Sequence, residues 1–278
     1  MSARVLLVII ACVRLFPLSA QDLQFRHLKV EDGLSQNTIN CIYQDQYGFM
    51  WFGTQDGLNC YDGIGFEVFR HDPDDSTSLS HNWIWDILED GDHKLWVATW
   101  DGLSCFNRLE NTFTSYFPDS SQSSSISGTR PASLVRDAEG MIWIGTWGGG
   151  LNVLDSQTGI FTKFRDSENP GMNYPGDYVR KVFIDCEGVV WIGTWNGLWE
   201  CRTRTDGELE FRSYAYDPTD PQSISSNRVS SIEEDGLGRL WIGTLGGGLN
   251  LLDRSRGSFT RFQHEGGISG SISSNDIT

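Results

Sequence analysis

Apolar and polar positions along this chain recur as a unit. Short apolar runs are bounded by turns rich in Gly, Asp, Asn and Ser, and no window carries a 3.6-residue apolar period with few glycines. Short runs bounded in this way predict strands, and the missing helical period excludes a helical solenoid. Five copies are anchored on Trp51, Trp96, Trp143, Trp191 and Trp241, which open the motifs WFGT, WVAT, WIGT, WIGT and WIGT at spacings of roughly 45 to 50 residues. An Asp stands six residues before each Trp: Asp45, Asp90, Asp137, Asp185 and Asp235. Gly stands three before it at Gly48, Gly140, Gly188 and Gly238, while the second copy has His93 there. Each motif closes on a Thr and is followed within a few residues by a Gly-Leu pair, as in Thr54 with Gly57-Leu58.

Each copy resolves into four strands. The first ends near the Asp, and the Asp-x-x-Gly segment supplies a tight turn in which Gly accepts a left-handed backbone. The Trp motif is the second strand. A Gly-rich turn leads to the third, such as Leu249 to Leu252, and a polar turn to the fourth, such as Phe259 to Phe262. Four antiparallel strands in each repeat of this length define a blade of a β-propeller. The fold class expected is all-β: five full blades at about 39–70, 84–117, 131–165, 179–214 and 229–263 within a propeller region 21–278. The repeated Trp is expected to wedge between neighbouring sheets, where its large apolar area holds blade to blade. Phe25-Arg26-His27-Leu28 has the pattern of a fourth strand without its first three, and Ile272 to Thr278 that of the start of a sixth blade. The chain is therefore expected to be the front piece of a longer propeller protein. In such a protein, an N-terminal strand that completes the last blade hides both sheet edges.

Composition narrows the class. The 278 residues include 31 Gly and 11 Trp, which suits strands and turns more than helices. The formal net charge of −16 argues against a nucleic-acid partner, which needs a basic face, and against docking on anionic lipid. Residues 1–20 differ in kind: Arg4 precedes an apolar run from Val5 to Val13, and Leu18-Ser19-Ala20 ends in a small residue. This predicts a secretory signal peptide cut near Ala20, too short to span a bilayer. Ile9-Ile10-Ala11-Cys12 leaves open lipidation at Cys12 instead. The cysteines that remain, Cys41, Cys60, Cys105, Cys186 and Cys201, are odd in number and irregular in spacing, so they form no disulfide framework and read as small buried residues, with Cys60 and Cys105, on equivalent strands of adjacent blades, expected to be free thiols.

The repeats resemble those of the two-component regulator propeller family, the periplasmic sensor region of bacterial hybrid two-component histidine kinases. The residues that carry the resemblance are Phe25-Arg26-His27-Leu28, Glu31-Asp32-Gly33-Leu34-Ser35, and the run Gly48-Phe49-Met50-Trp51-Phe52-Gly53-Thr54-Gln55-Asp56-Gly57-Leu58. Ala98 in place of Gly and His93 at the turn depart from the pattern. The resemblance implies two successive propellers, a small β-sandwich, one membrane helix and cytoplasmic kinase and regulator modules. It also implies a periplasmic location, partners in those remaining modules with room for a homodimer, and a role in detecting carbohydrate fragments.

A ligand is expected on the face that carries the turns between second and third strands, since loops on a rigid scaffold carry function. Three successive copies place Trp100, Trp147 and Trp195 at one equivalent position there, with Asp101 and Asn196 beside them. An aromatic ring stacks on the apolar face of a sugar, and Asp101 and Asn196 can hydrogen-bond its hydroxyls. Packing under adjacent loops is the competing reading of these Trp residues. The sequence carries no HExxH, GxSxG or phosphate-loop motif, so no catalytic residue, cofactor or metal ligand is expected and the chain reads as a non-enzyme. The Asp-rich links Asp72-Pro73-Asp74-Asp75 and Asp217-Pro218-Thr219-Asp220 read as solvated turns. Two other functions stay open: a protein-interaction scaffold, which needs a large apolar exposed face, and a propeller glycosidase or lyase, which needs a cleft with paired carboxylates.

Overall fold

A computed structural model describes residues 25–164, 175–205 and 207–278; the leader segment 1–20 lies outside the described residues. The strands form five four-stranded antiparallel sheets, each with its strands in chain order. Blade 1 comprises β1 (Ile39–Gln44), β2 (Met50–Thr54), β3 (Leu58–Tyr61) and β4 (Phe66–Phe69). Blade 2 comprises β5 (Ile84–Glu89), β6 (Leu95–Thr99), β7 (Leu103–Asn107) and β8 (Thr112–Tyr116). Blade 3 comprises β9 (Pro131–Arg136), β10 (Ile142–Thr146), β11 (Gly150–Asp155) and β12 (Ile160–Phe164). Blade 4 comprises β13 (Val179–Ile184), β14 (Val190–Thr194), β15 (Gly197–Thr203) and β16 (Leu209–Tyr214). Blade 5 comprises β17 (Val229–Glu234), β18 (Leu240–Thr244), β19 (Gly248–Asp253) and β20 (Ser258–Phe262).

The first strands β1, β5, β9, β13 and β17 lie side by side and all five contribute to one central cavity of about 630 Å³. This is the arrangement of an all-β propeller, with the sheets stacked face to face around a channel. An inner strand has a free edge, and here the preceding blade satisfies part of it. Asp86 on β5 accepts the Leu134 N–H of β9 at 2.8 Å, and Ser133 on β9 accepts the Val182 N–H of β13 at 3.1 Å.

The core consists of four layers, each between two consecutive blades. Trp51, Trp96, Trp143 and Trp191 sit in these layers at 2%, 1%, 5% and 1% exposure. Each packs on the apolar residues of the next blade; Trp51, for instance, shares its cluster with Ile84, Ile87 and Leu95. The small residue at each motif's third position explains how close the sheets come. A Cβ on Gly53, Gly145, Gly193 or Gly243 would meet Ile84, Val179, Val229 or Ile277 at 2.5–2.7 Å. The second blade has Ala98 there, and the equivalent place of the following blade holds Pro131, which has no branch at Cβ.

The two ends of the chain differ. Ile277 docks against Gly243 as Val229 docks against Gly193, and its N–H donates to the Thr244 carbonyl at 3.1 Å. Residues 275–278 thus occupy the starting position of a further inner strand. Phe25–Leu28, expected as a fourth strand, forms none: Phe25 is 82% exposed and the segment joins no ladder. A fourth strand exists only beside a third, and the described residues provide no third strand for it.

Candidate functional site

The two rims of the propeller are built by different residues. At one rim lie the turns between first and second strands. There each Asp accepts the indole N–H of the Trp six residues on: Trp51 to Asp45 at 2.8 Å, Trp96 to Asp90 at 2.8 Å, Trp143 to Asp137 at 2.7 Å, Trp191 to Asp185 at 2.7 Å and Trp241 to Asp235 at 2.8 Å. The other carboxylate oxygen accepts backbone N–H groups of the turn, as Asp45 does from Tyr47 and Phe49. These hydrogen bonds, with the Trp241 indole first, hold the Asp235 carboxyl well below the usual carboxylate range. The turn needs a left-handed residue, and His93 supplies it at φ 63 where the other copies use Gly.

Arginines complete that rim. Arg108 spans from Asp45 of blade 1 (2.9 Å) to Glu89 of its own blade (3.1 Å). Arg254 spans from Asp185 of blade 4 (2.6 Å) to Glu234 of its own blade (2.7 Å). Both Asp side chains are fully buried. The repeated Asp and Trp and the two bridging Arg at this rim are thus partnered with one another, with the Arg254 Nε alone of that set left without a partner.

At the opposite rim lie the turns between second and third strands and the links between blades. The glycine of each turn donates its N–H to a link carbonyl of the next blade: Gly57 to Asn82, Gly102 to Thr129, Gly150 to Asp177, Gly197 to Asn227 and Gly248 to Asn275. Rigid backbone therefore underlies the side chains here. The inner strand of every blade carries a bulge where the register skips one residue. The skipped residues are Asn40, Trp85, Ala132, Arg180 and Ser230. A bulge re-aims a side chain out of the ladder, and in blades 2 and 4 it delivers an indole and a guanidinium to the mouth of the channel, where both line the cavity.

The result is a continuous aromatic belt across blades 2 to 4. Trp100 stacks on Trp85 (6.0 Å between centroids, 23° between planes), Trp85 meets Trp147 at 5.6 Å, and Trp147 meets Trp195 at 5.9 Å. Tyr178 stacks on Trp195 at 5.6 Å and 13°. Trp83 supports the belt from beside Trp85 and Trp100, at 5.7 and 5.4 Å. Tyr178 and Trp195 remain 53% and 45% exposed, so the belt presents faces to solvent even where its members pack on each other. Blades 1 and 5 have Gln55-Asp56 and Leu245-Gly246 in the same turns and contribute no ring.

Three arginines lie over these rings. Arg130 sits 4.3 Å from the Trp100 ring centroid, Arg180 sits 5.1 Å from Trp85 and 5.4 Å from Trp147, and Arg228 sits 5.5 Å from Trp195. Burial pushes the Arg180 guanidinium down from its ordinary value. Asp101 and Asn196 are exposed beside the belt, and each backbone N–H donates to the Thr hydroxyl that closes its own motif. His81 lies near Asp101; burial lowers its imidazole and the Asp101 charge opposes this in part.

The structure therefore brings Trp147 and Trp195 into contact directly, and joins Trp100 to them through Trp85. Sequence reasoning missed Trp83, Trp85, Tyr178 and the three arginines. The signal for them was the pair of residues flanking the first apolar residue of each inner strand: Trp83-Ile84-Trp85, Tyr178-Val179-Arg180 and Arg228-Val229-Ser230. The described cysteines are all free, as expected of Cys60 and Cys105, but only Cys105 and Cys201 are buried: Cys41 and Cys60 are half-buried, and Cys186, in an Asp turn, is exposed. Among the described residues no helix is long and apolar enough to cross a membrane.

Comparison with known proteins fits this architecture. The profile of the family described as "Two component regulator propeller" matches residues 33–56, 78–101 and 223–246. Each match runs from the link, through the first two strands, into the turn that carries the candidate site. Three of the five repeats of this chain, those of blades 1, 2 and 5, thus match that family's model. A segment of 56 residues, 20% of the chain, is 48% identical to Histidine kinase P4 of Formosa agariphila, of which it covers 4%. Among solved structures, the extracellular domain of a putative hybrid two component system from B. thetaiotaomicron superposes with a TM-score of 0.61 at 24% identity, over 90% of this chain and 38% of that one. The extracellular domain of a putative one component system from the same organism gives a TM-score of 0.68 at 23% identity, over 86% of this chain and 33% of that one. The chain spans well under half the length of these relatives, and the two structural likenesses establish the fold.

Proposed function

We propose that this chain is the extracytoplasmic sensory part of a two-component signalling protein and that it binds an oligosaccharide at the aromatic rim of its propeller. The continuous belt from Trp100 to Tyr178, carried by the turns after the second strands and joined at the channel mouth by Trp85 on its bulge, is the observation that carries this reading. Indole faces complement the C–H faces of sugar rings, and a row of them spanning three blades suits several sugar units rather than one. Asp101 and Asn196 flank the row with free acceptors and donors for hydroxyl groups. The family of the repeats and the kinase relative support a signalling role, and the leader-like residues 1–20 support export to the periplasm. Ligand binding across blades 2 to 4 would alter how these blades pack, and remaining propeller, kinase and regulator modules, alone or as a dimer, would read that change.

The test is a titration of the chain with size-graded oligosaccharide mixtures, followed by intrinsic tryptophan fluorescence. Saturable quenching is expected, and Trp147→Ala should weaken it at least tenfold while thermal unfolding stays near that of the parent chain. Unaltered binding by Trp147→Ala would remove the belt as the site.

A further inference from the structure

We propose that the ligand of this rim carries negative charge, as carboxylate or sulfate groups on its sugar units, and that Arg130, Arg180 and Arg228 receive those groups. The inference deepens the saccharide-binding reading above and rests on it. The chain is strongly acidic, with 37 Asp and Glu against 21 Lys and Arg, so a cation here has carboxylates in abundance from which to draw a partner. Several arginines elsewhere use them: Arg70, Arg108, Arg202, Arg239 and Arg254 each meet a carboxylate within 3.1 Å or closer, whereas Arg212 and Arg261, like the rim arginines, lie over a tyrosine ring without a described carboxylate partner.

The three arginines of the aromatic rim do not. None forms an ion pair with a described carboxylate, and each rests on an indole face instead. A guanidinium laid on a ring keeps its in-plane N–H groups free, and those donors match the paired oxygens of a carboxylate or sulfate. Arg180 is the telling member. It is half-buried at a bulge, which costs desolvation, and no carboxylate offsets that cost. Stacking on the two indoles offsets part of that cost, and the N–H groups left over are those a bound anion would engage. The aromatic belt fixes where the sugar rings lie, and the arginines at its two ends and its middle set where their charges fall.

Isothermal titration with three length-matched oligosaccharide sets tests this: neutral, uronate-bearing without sulfate, and sulfated without uronate. At least one charged set should bind tenfold or more tightly than the neutral set, and its affinity should fall as salt rises. Arg180→Gln should lose at least tenfold toward that charged set and lose less toward the neutral set; the exposed Arg228→Gln should lose a smaller factor toward the charged set and serves as the variant least exposed to folding defects. Which charged set binds distinguishes carboxylate from sulfate. Equal binding of neutral and charged sets, or charged binding indifferent to both substitutions, overturns the anion inference and leaves the saccharide reading standing. Failure of every set to bind overturns both.

Discussion

The two rims of this propeller use the same residue types for opposite ends. At the Asp-turn rim, Trp, Asp and Arg close on one another: indole N–H on carboxylate, carboxylate on backbone N–H, guanidinium across two blades. At the channel-mouth rim, Trp stacks on Trp and Arg lies on Trp, and the arginine charges stay unpaired with any described carboxylate. The repeated Asp, Trp and bridging Arg groups of the first rim are satisfied within the chain but for the Arg254 Nε. The second has polar capacity left over, on a backbone as firmly tied as the first. Repetition explains why: a blade needs its Asp, its Trp and a small residue facing the next sheet in every copy to stack on its neighbour, while the second-to-third-strand turns and the bulge positions can vary from copy to copy without loss of the sheet. Function is expected where the repeat varies.

Substitutions sharpen this contrast. The largest effect belongs to Trp96→Ala, which empties the layer between blades 2 and 3 and should cost about 3–5 kcal/mol of stability; Trp241→Ala, only half-buried and outside the four core layers, should cost much less. Equal costs in denaturant unfolding would contradict the role given to those layers. Next is Arg254→Ala, which strips the blade-spanning partner from buried Asp185. A loss of about 1–3 kcal/mol is expected, with oligosaccharide binding unchanged. Loss of binding without loss of stability would reverse the assignment of the two rims. Smallest is His93→Gly. It relieves a left-handed backbone at φ 63, partly offset by the entropy of Gly, and should raise stability by about 0.5–1 kcal/mol in thermal unfolding. A decrease would mean that the edge contact of His93 with Tyr47 matters more than the turn.

Much of the fold is legible in the sequence because the scaffold repeats. The Trp, Asp and Gly positions recur at fixed offsets, so the strand order within each blade and the Asp-Trp turn can be read without coordinates. The site is legible only in part. Trp100, Trp147 and Trp195 share a repeat position and declare themselves, whereas Trp85 and Arg180 are visible only once the bulge is known. A bulge leaves no composition signal of its own: Asn40, Trp85, Ala132, Arg180 and Ser230 have nothing in common but their place. Phe25–Leu28 shows the complementary limit, a strand pattern without a ladder to join.

Hydrogen–deuterium exchange of the chain, alone and with a saturating charged oligosaccharide mixture, tests the division of the rims most directly. Protection is predicted in the turns at 100–102, 147–150 and 195–197 and along the inner strands at Trp85 and Arg180, with the Asp turns at 45–48, 90–93 and 185–188 unchanged. Protection confined to the Asp turns, or spread evenly over both rims, would contradict the account.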